Sequence, residues 1–139
     1  MEKGTTGSHL AAFMKEWQET PDRNREAFLH FKEYLARKEG VSLEFISRPP
    51  VTYSLRAVHA AQKKKGLFAM VDVIEDDPRW LSVCFYGEMI TDPDQKGDLV
   101  PGGLLGEDGV CFAMEQRDEE LVRYLEKRLD EAWRSASQE

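Results

Sequence analysis

Residues 67–90, LFAMVDVIEDDPRWLSVCFYGEMI, hold two apolar runs, 67–74 and 80–86, joined by the polar link Glu75-Asp76-Asp77-Pro78-Arg79. Runs of this length, rich in β-branched and aromatic side chains and split by turn chemistry, read as paired antiparallel strands in the middle of a sheet. Their apolarity is nearly continuous, which predicts cover on both faces: helices on one side, a further chain segment or subunit on the other.

Upstream of this pair, LEFIS (43–47) and VTYSLRAV (51–58) alternate with a period of two, and Pro49-Pro50 forces a turn or edge between them. Val51, Tyr53, Leu55 and Ala57 share one face of the second segment, with Thr52, Ser54 and Arg56 on the other. Downstream, VCFAM (110–114) reads as a fifth strand. Three segments carry the three- and four-residue apolar spacing of helices. The first runs over 9–19, capped by Ser8 and striped by Leu10, Phe13, Met14 and Trp17. The second runs over 21–39, from a Thr20-Pro21 start to a Gly40 stop, with Phe28, Phe31 and Leu35 in the core. The third runs over 118–136 with Leu121, Leu125, Leu129, Ala132 and Trp133 on one side. The expected class is α+β, a mainly antiparallel sheet of about five strands packed by two N-terminal helices and one C-terminal helix. Residues 1–7 are read as a flexible N-terminal arm and 8–139 as one globular domain.

The 139 residues are 41% hydrophobic and 32% charged, which suits a folded chain and excludes a mainly disordered one. The formal charge of -7 is uneven: residues 1–66 carry twelve Lys/Arg against eight Asp/Glu, and residues 67–139 carry seven against eighteen. An acidic chain is a poor non-specific binder of a phosphate backbone, so nucleic acid is not expected as a partner. The start, MEKGTTGSHLAAF, has no long apolar core of a secretion signal, and no run is long enough to cross a bilayer. The expected compartment is the cytoplasm, with no membrane partner. Cys84 and Cys111 both lie in apolar strand-like runs and are expected as buried thiols, since a disulfide needs a suitable Cα separation and an oxidising environment.

The candidate chemistry is sparse. Residues 91–109, TDPDQKGDLVPGGLLGEDG, hold five glycines, two prolines and five carboxylates, and a connection this long is either a functional loop or hides a short element near Leu104-Leu105. Its opening imitates a calcium loop, but Lys96 and Gly103 stand at ligand positions five and twelve. Its glycines lack the Lys-Ser/Thr pair of a phosphate loop, and Glu107-Asp108 repel phosphate. No metal and no cofactor is expected. Arg56, His59, Lys63, Lys64 and Lys65 form the one concentrated basic stretch and a candidate anion-binding cluster. Asp72 interrupts a central strand, where a carboxylate must be paired, hydrogen-bonded or wetted. Alternation groups it with Ser82, Cys84 and Tyr86, and Tyr53 or Arg56 from the neighbouring strand is its expected partner. These six residues are the candidate pocket. A cysteine nucleophile would need His59 beside Cys84 or Cys111.

The reading is a small non-catalytic domain that binds a ligand or a protein, with a homodimer or protein partner expected at the sheet face or the 91–109 loop. The alternative is a small enzyme or small-molecule sensor with a pocket around Asp72, Tyr86 and Arg56 covered by that loop.

Overall fold

The computed structural model describes the backbone of residues 2–139 and the side-chain surroundings of residues 7–139. Helices α1 (Glu2–Glu16) and α2 (Asn24–Ala36) precede strands β1 (Val41–Arg48), β2 (Thr52–His59), β3 (Ala69–Ile74) and β4 (Trp80–Tyr86). A 3-10 turn (Gly87–Met89), strands β5 (Asp98–Leu104) and β6 (Glu107–Met114), and helix α3 (Glu119–Ser137) complete the chain. The class is α+β as the sequence implies, but the antiparallel sheet has six strands, in the order β1-β2-β3-β4-β6-β5. The additional strand is β5, whose sequence DLVPGGL has proline and glycine where strand patterns have side chains. It pairs regularly with β6 only from Asp98 to Val100, then shifts register before Leu104 meets Glu107.

The central pair forms as read, Val71 opposite Val83 and Val73 opposite Leu81. These residues, with Leu55, Ala57, Phe85, Phe112 and Met114, are buried on one face of the sheet. All three helices lie against that face. Phe13 of α1 stacks on Phe45 and Tyr53, α2 inserts Phe28, Phe31 and Leu35, and Tyr124 of α3 meets Phe112. The apolar stripes predicted for the first two helices are therefore faces that exclude water, whereas in α3 Val122 joins Leu125, Leu129 and Ala132 in the core and Leu121 and Trp133 are only partly buried.

Helix boundaries differ from the sequence reading at the N-terminal ends. Backbone from Glu2 onward is helical, so the expected arm 1–7 is drawn into α1 instead, and only Met1 lies outside the described backbone. The second helix begins at Asn24 because Thr20-Pro21-Asp22-Arg23 closes a turn first: Arg23 N–H donates to Thr20 O at 2.9 Å, and Arg23 takes a φ of 62°. It stops at Ala36, and Gly40 works one turn later, at φ +78° where an added Cβ would meet the His59 ring at 2.7 Å. Helix α3 is N-capped by Asp118, whose carboxylate accepts from the N–H groups of Glu120 and Leu121.

One buried polar residue organises the sheet end of the core. Asn24 is fully buried, and its Nδ2 donates to Arg79 O and Glu115 O, both at 2.9 Å. It thereby ties the start of α2 to the β3–β4 turn and the end of β6. Arg79, in that turn, pairs with Glu16 at 2.8 Å and Glu75 at 3.0 Å while its guanidinium lies over the rings of Phe13, Tyr53 and Trp17.

Candidate functional site

The face of the sheet turned away from the helices carries the polar residues. Directly opposed residues in a ladder share a face, so one row reads Ser54, Asp72, Ser82 and Ala113, and the next reads Arg56, Met70, Cys84 and Cys111. A third row begins with Arg48 and Thr52 and continues to Ile74 and Trp80. The β5–β6 hairpin folds over this face. Its Leu104 is 2% exposed and packs on Gly109, where a Cβ would come within 3.0 Å of the leucine. Glycine at 109 is thus what lets the hairpin tip lie against the sheet.

Beneath the tip is a cavity of about 270 Å³ lined by Arg48, Thr52, Ser54, Arg56, Met70 and Asp72 from the sheet and by Gly103, Leu104 and Leu105 from the hairpin. Asp72 stands at its centre, mostly buried, and its Oδ1 is buried without a hydrogen-bond partner. Burial raises its carboxyl above the ordinary value, opposed by hydrogen bonding to Ser54 and by the positive charges of Arg56 and Arg48. Arg56 Nε donates weakly to Ser54 Oγ at 3.4 Å, and among the described residues neither Arg56 nor Arg48 forms an ion pair with a carboxylate.

The structure divides the predicted pocket. Asp72, Ser82, Cys84, Tyr86 and Arg56 share the open face, with Asp72 and Arg56 in the cavity lining and the other three beside it. Tyr53 is excluded: it occupies the opposite side of β2, with its ring 4.4 Å from that of Phe13. There it borders a larger and more open hollow of about 470 Å³, lined by the apolar Phe13, Phe45 and Pro49 and by the polar His9, Glu16 and Ser47. Cys84 and Cys111 face each other across β4 and β6 with Cα atoms 4.1 Å apart and are joined as a disulfide, not held as the expected thiols. Two cysteines on directly paired positions of adjacent strands are brought together by register, which the sequence does not display. With both sulfurs bonded, neither is a nucleophile, and the His59 ring lies instead against Trp133 on the helix side.

The basic stretch is divided in the same way. Arg56 faces the cavity, whereas His59 is on the other side of β2 and accepts from Ala61 N–H through Nδ1 at 2.9 Å. Lys65 is bonded to Glu107 and to Glu88 and lies over the Tyr86 ring. The backbone N–H groups of Lys63 and Lys64 already donate to Glu139 Oε1, at 2.9 and 2.8 Å. Of these five residues only Arg56 lines the cavity.

Arg48, which the sequence offers only as an addition to the basic stretch if the first strand pair turns back, also lines the cavity. Its pairing with Thr52 across the diproline turn is the signal, since both end on the same face as Asp72. In the 91–109 segment, Asp92 closes a turn, accepting from Lys96 and Gly97 N–H and from the Tyr124 hydroxyl. Comparison with protein-family models, with curated proteins and with solved structures finds no match for the chain.

Proposed function

We propose that this chain is a non-catalytic binding domain that holds a small anionic ligand on the open face of its sheet, under the β5–β6 hairpin. The observation that supports the reading is the cavity itself, in which two arginines without carboxylate partners flank a buried carboxylate oxygen that nothing satisfies. A polar group left unpaired inside a folded protein costs stability, and the retention of Asp72 Oδ1 at a cavity edged by two cations is what a ligand's own polar groups would offset. The volume, about 270 Å³, falls below the roughly 300–1,000 Å³ usual for drug-sized ligands, so the occupant is small. Titration of the ¹⁵N-labelled chain with inorganic phosphate and with succinate tests this. Saturable shifts at Arg48, Thr52, Ser54, Arg56, Asp72 and 103–105 are the expected result. Shifts confined to Lys63–Lys65, or none that saturate, overturn it.

Self-association is a second reading, supported by a different observation: Leu99 and Leu105 are 66% and 55% exposed on the edge hairpin, beside a partly exposed Val100. A homodimer or protein partner seated there would bury them. Among the described residues no helix is long and apolar enough to cross a membrane.

A further inference from the structure

The charges lining the cavity sit on three adjacent strands, Arg48 on β1, Arg56 on β2 and Asp72 on β3. Along β2, Thr52, Ser54 and Arg56 point to the open face in succession, with Arg48 beside Thr52 on one side and Asp72 beside Ser54 on the other. The two cationic positions are therefore about 14 Å apart at the backbone, and the carboxylate is level with the middle of that interval but one strand to the β3 side; long arginine side chains reach over such a distance toward a shared ligand. Read along the strand, the order is positive, negative, positive. The complementary occupant reads negative, positive, negative. Glu44 stands opposite Arg56 in the register, but it is outside the lining and makes no ion pair with it.

We infer that the cavity selects an aminodicarboxylate, an acidic amino acid whose ammonium lies between two carboxylates. This deepens the small-anion reading above and rests on it. The ammonium donates to Asp72 Oδ1, the acceptor that the protein leaves unsatisfied. The two carboxylates meet Arg48 and Arg56, each guanidinium offering paired donors that match a carboxylate. The short aliphatic chain lies against Met70 and Leu104, the apolar part of the lining. Charge balance points the same way: the lining bears two positive groups and one negative, so a ligand of net single negative charge neutralises it. A plain dicarboxylate would place a carboxylate near Asp72 with no ammonium between them, and a monocarboxylate amine would leave one arginine unmatched.

The test compares L-aspartate and L-glutamate with succinate and glutarate, the same diacids without the amine, by calorimetry and ¹⁵N chemical-shift mapping on the full chain. At least one amino acid is expected to bind about tenfold or more tighter than its deaminated counterpart, the factor of a charge-assisted hydrogen bond. In Asp72→Asn that preference is expected to vanish while diacid binding remains, and Arg48→Gln and Arg56→Gln are expected to weaken both classes. Diacids binding at the cavity as tightly as the amino acids would overturn the aminodicarboxylate assignment and leave the small-anion reading standing. Absence of saturable binding by all four would overturn both. The comparison of ligands on the unaltered chain decides the matter even where a variant does not fold.

Discussion

Asp72 and Asn24 are both polar residues at the edge of an apolar core, and each leaves one oxygen buried and unsatisfied, yet their energetic signs differ. Asn24 repays its burial with two 2.9 Å hydrogen bonds to carbonyls that no other group reaches. Asn24→Ala should orphan Arg79 O and Glu115 O and destabilise the fold by about 2 kcal/mol, read as a lower urea midpoint at unchanged slope. Asp72 has the opposite balance. Its folded carboxyl is held above the ordinary 3.8, chiefly by burial, so the folded chain binds that proton more tightly than the unfolded chain does. Its stabilising contribution is therefore complete below the unfolded pKa and is lost as pH rises through the raised folded value. Asp72→Asn, which cannot ionise, should be more stable than the parent by roughly 1 kcal/mol at neutral pH. The gain should shrink as pH falls through the raised folded value and be gone once pH is below the ordinary 3.8, read in thermal melts. A variant less stable at neutral pH than at acid pH, relative to the parent, would contradict this sign.

At the scale of elements, the β5–β6 hairpin decides whether the open face is a flat surface or a cavity. Leu104 is its anchor, buried on Gly109 at the mouth of the lining. Leu104→Ala should cost about 2–3 kcal/mol of stability and free the tip, seen as faster amide exchange at 103–106 and weaker ligand binding. The same strand shows where sequence reading stops. Strands β2, β3 and β4 were legible because each alternates or runs apolar between turn residues. Strand β5 was not, because its Pro101, Gly102 and Gly103 suppress any period, and its pairing is set by β6 rather than by its own side chains. Disulfide formation was hidden for a related reason: whether Cys84 meets Cys111 depends on which strand sits beside β4 and in what register. Their bond closes a separation of 27 residues, which in the chain-entropy account stabilises by roughly 3 kcal/mol. Reduction should release two titratable thiols and lower the melting temperature without abolishing the fold, since the ladder around both cysteines remains. Such a bond persists in oxidising surroundings, so thiol trapping of the chain taken directly from cells reports the compartment in which it works.

Across the whole molecule, the charge asymmetry that the sequence displays is matched in part by pairs between the halves. Two cations of the first half meet carboxylates of the second, Lys38 with Asp130 and Lys65 with Glu88 and Glu107, while Arg79 and Arg117 of the second half meet Glu16 and Glu26 of the first. The two arginines of the cavity stand outside these pairs and are the anion contacts of the proposed function. The fold class was legible because it depends on periodicity, which each segment carries by itself. The site was legible only in part, because it depends on faces and neighbours: Asp72 and Arg56 were reachable by alternation, whereas Arg48 required the diproline turn to return its strand in register, and Tyr53 was grouped with the pocket although alternation itself puts it on the face opposite Arg56. The edges of the sheet set the last expectation. Strand β5 limits edge pairing by its proline and shifted register, so contact between copies would use its exposed side chains instead. Light scattering over a range of concentrations should then give a mass rising above that of one chain, and Leu99→Lys should restore the single-chain mass because like charges would face each other across the twofold contact. Since Leu99 is outside the cavity lining, that variant should keep succinate affinity within about twofold. A mass independent of concentration in the parent chain would remove the dimer and leave the cavity to account for function alone.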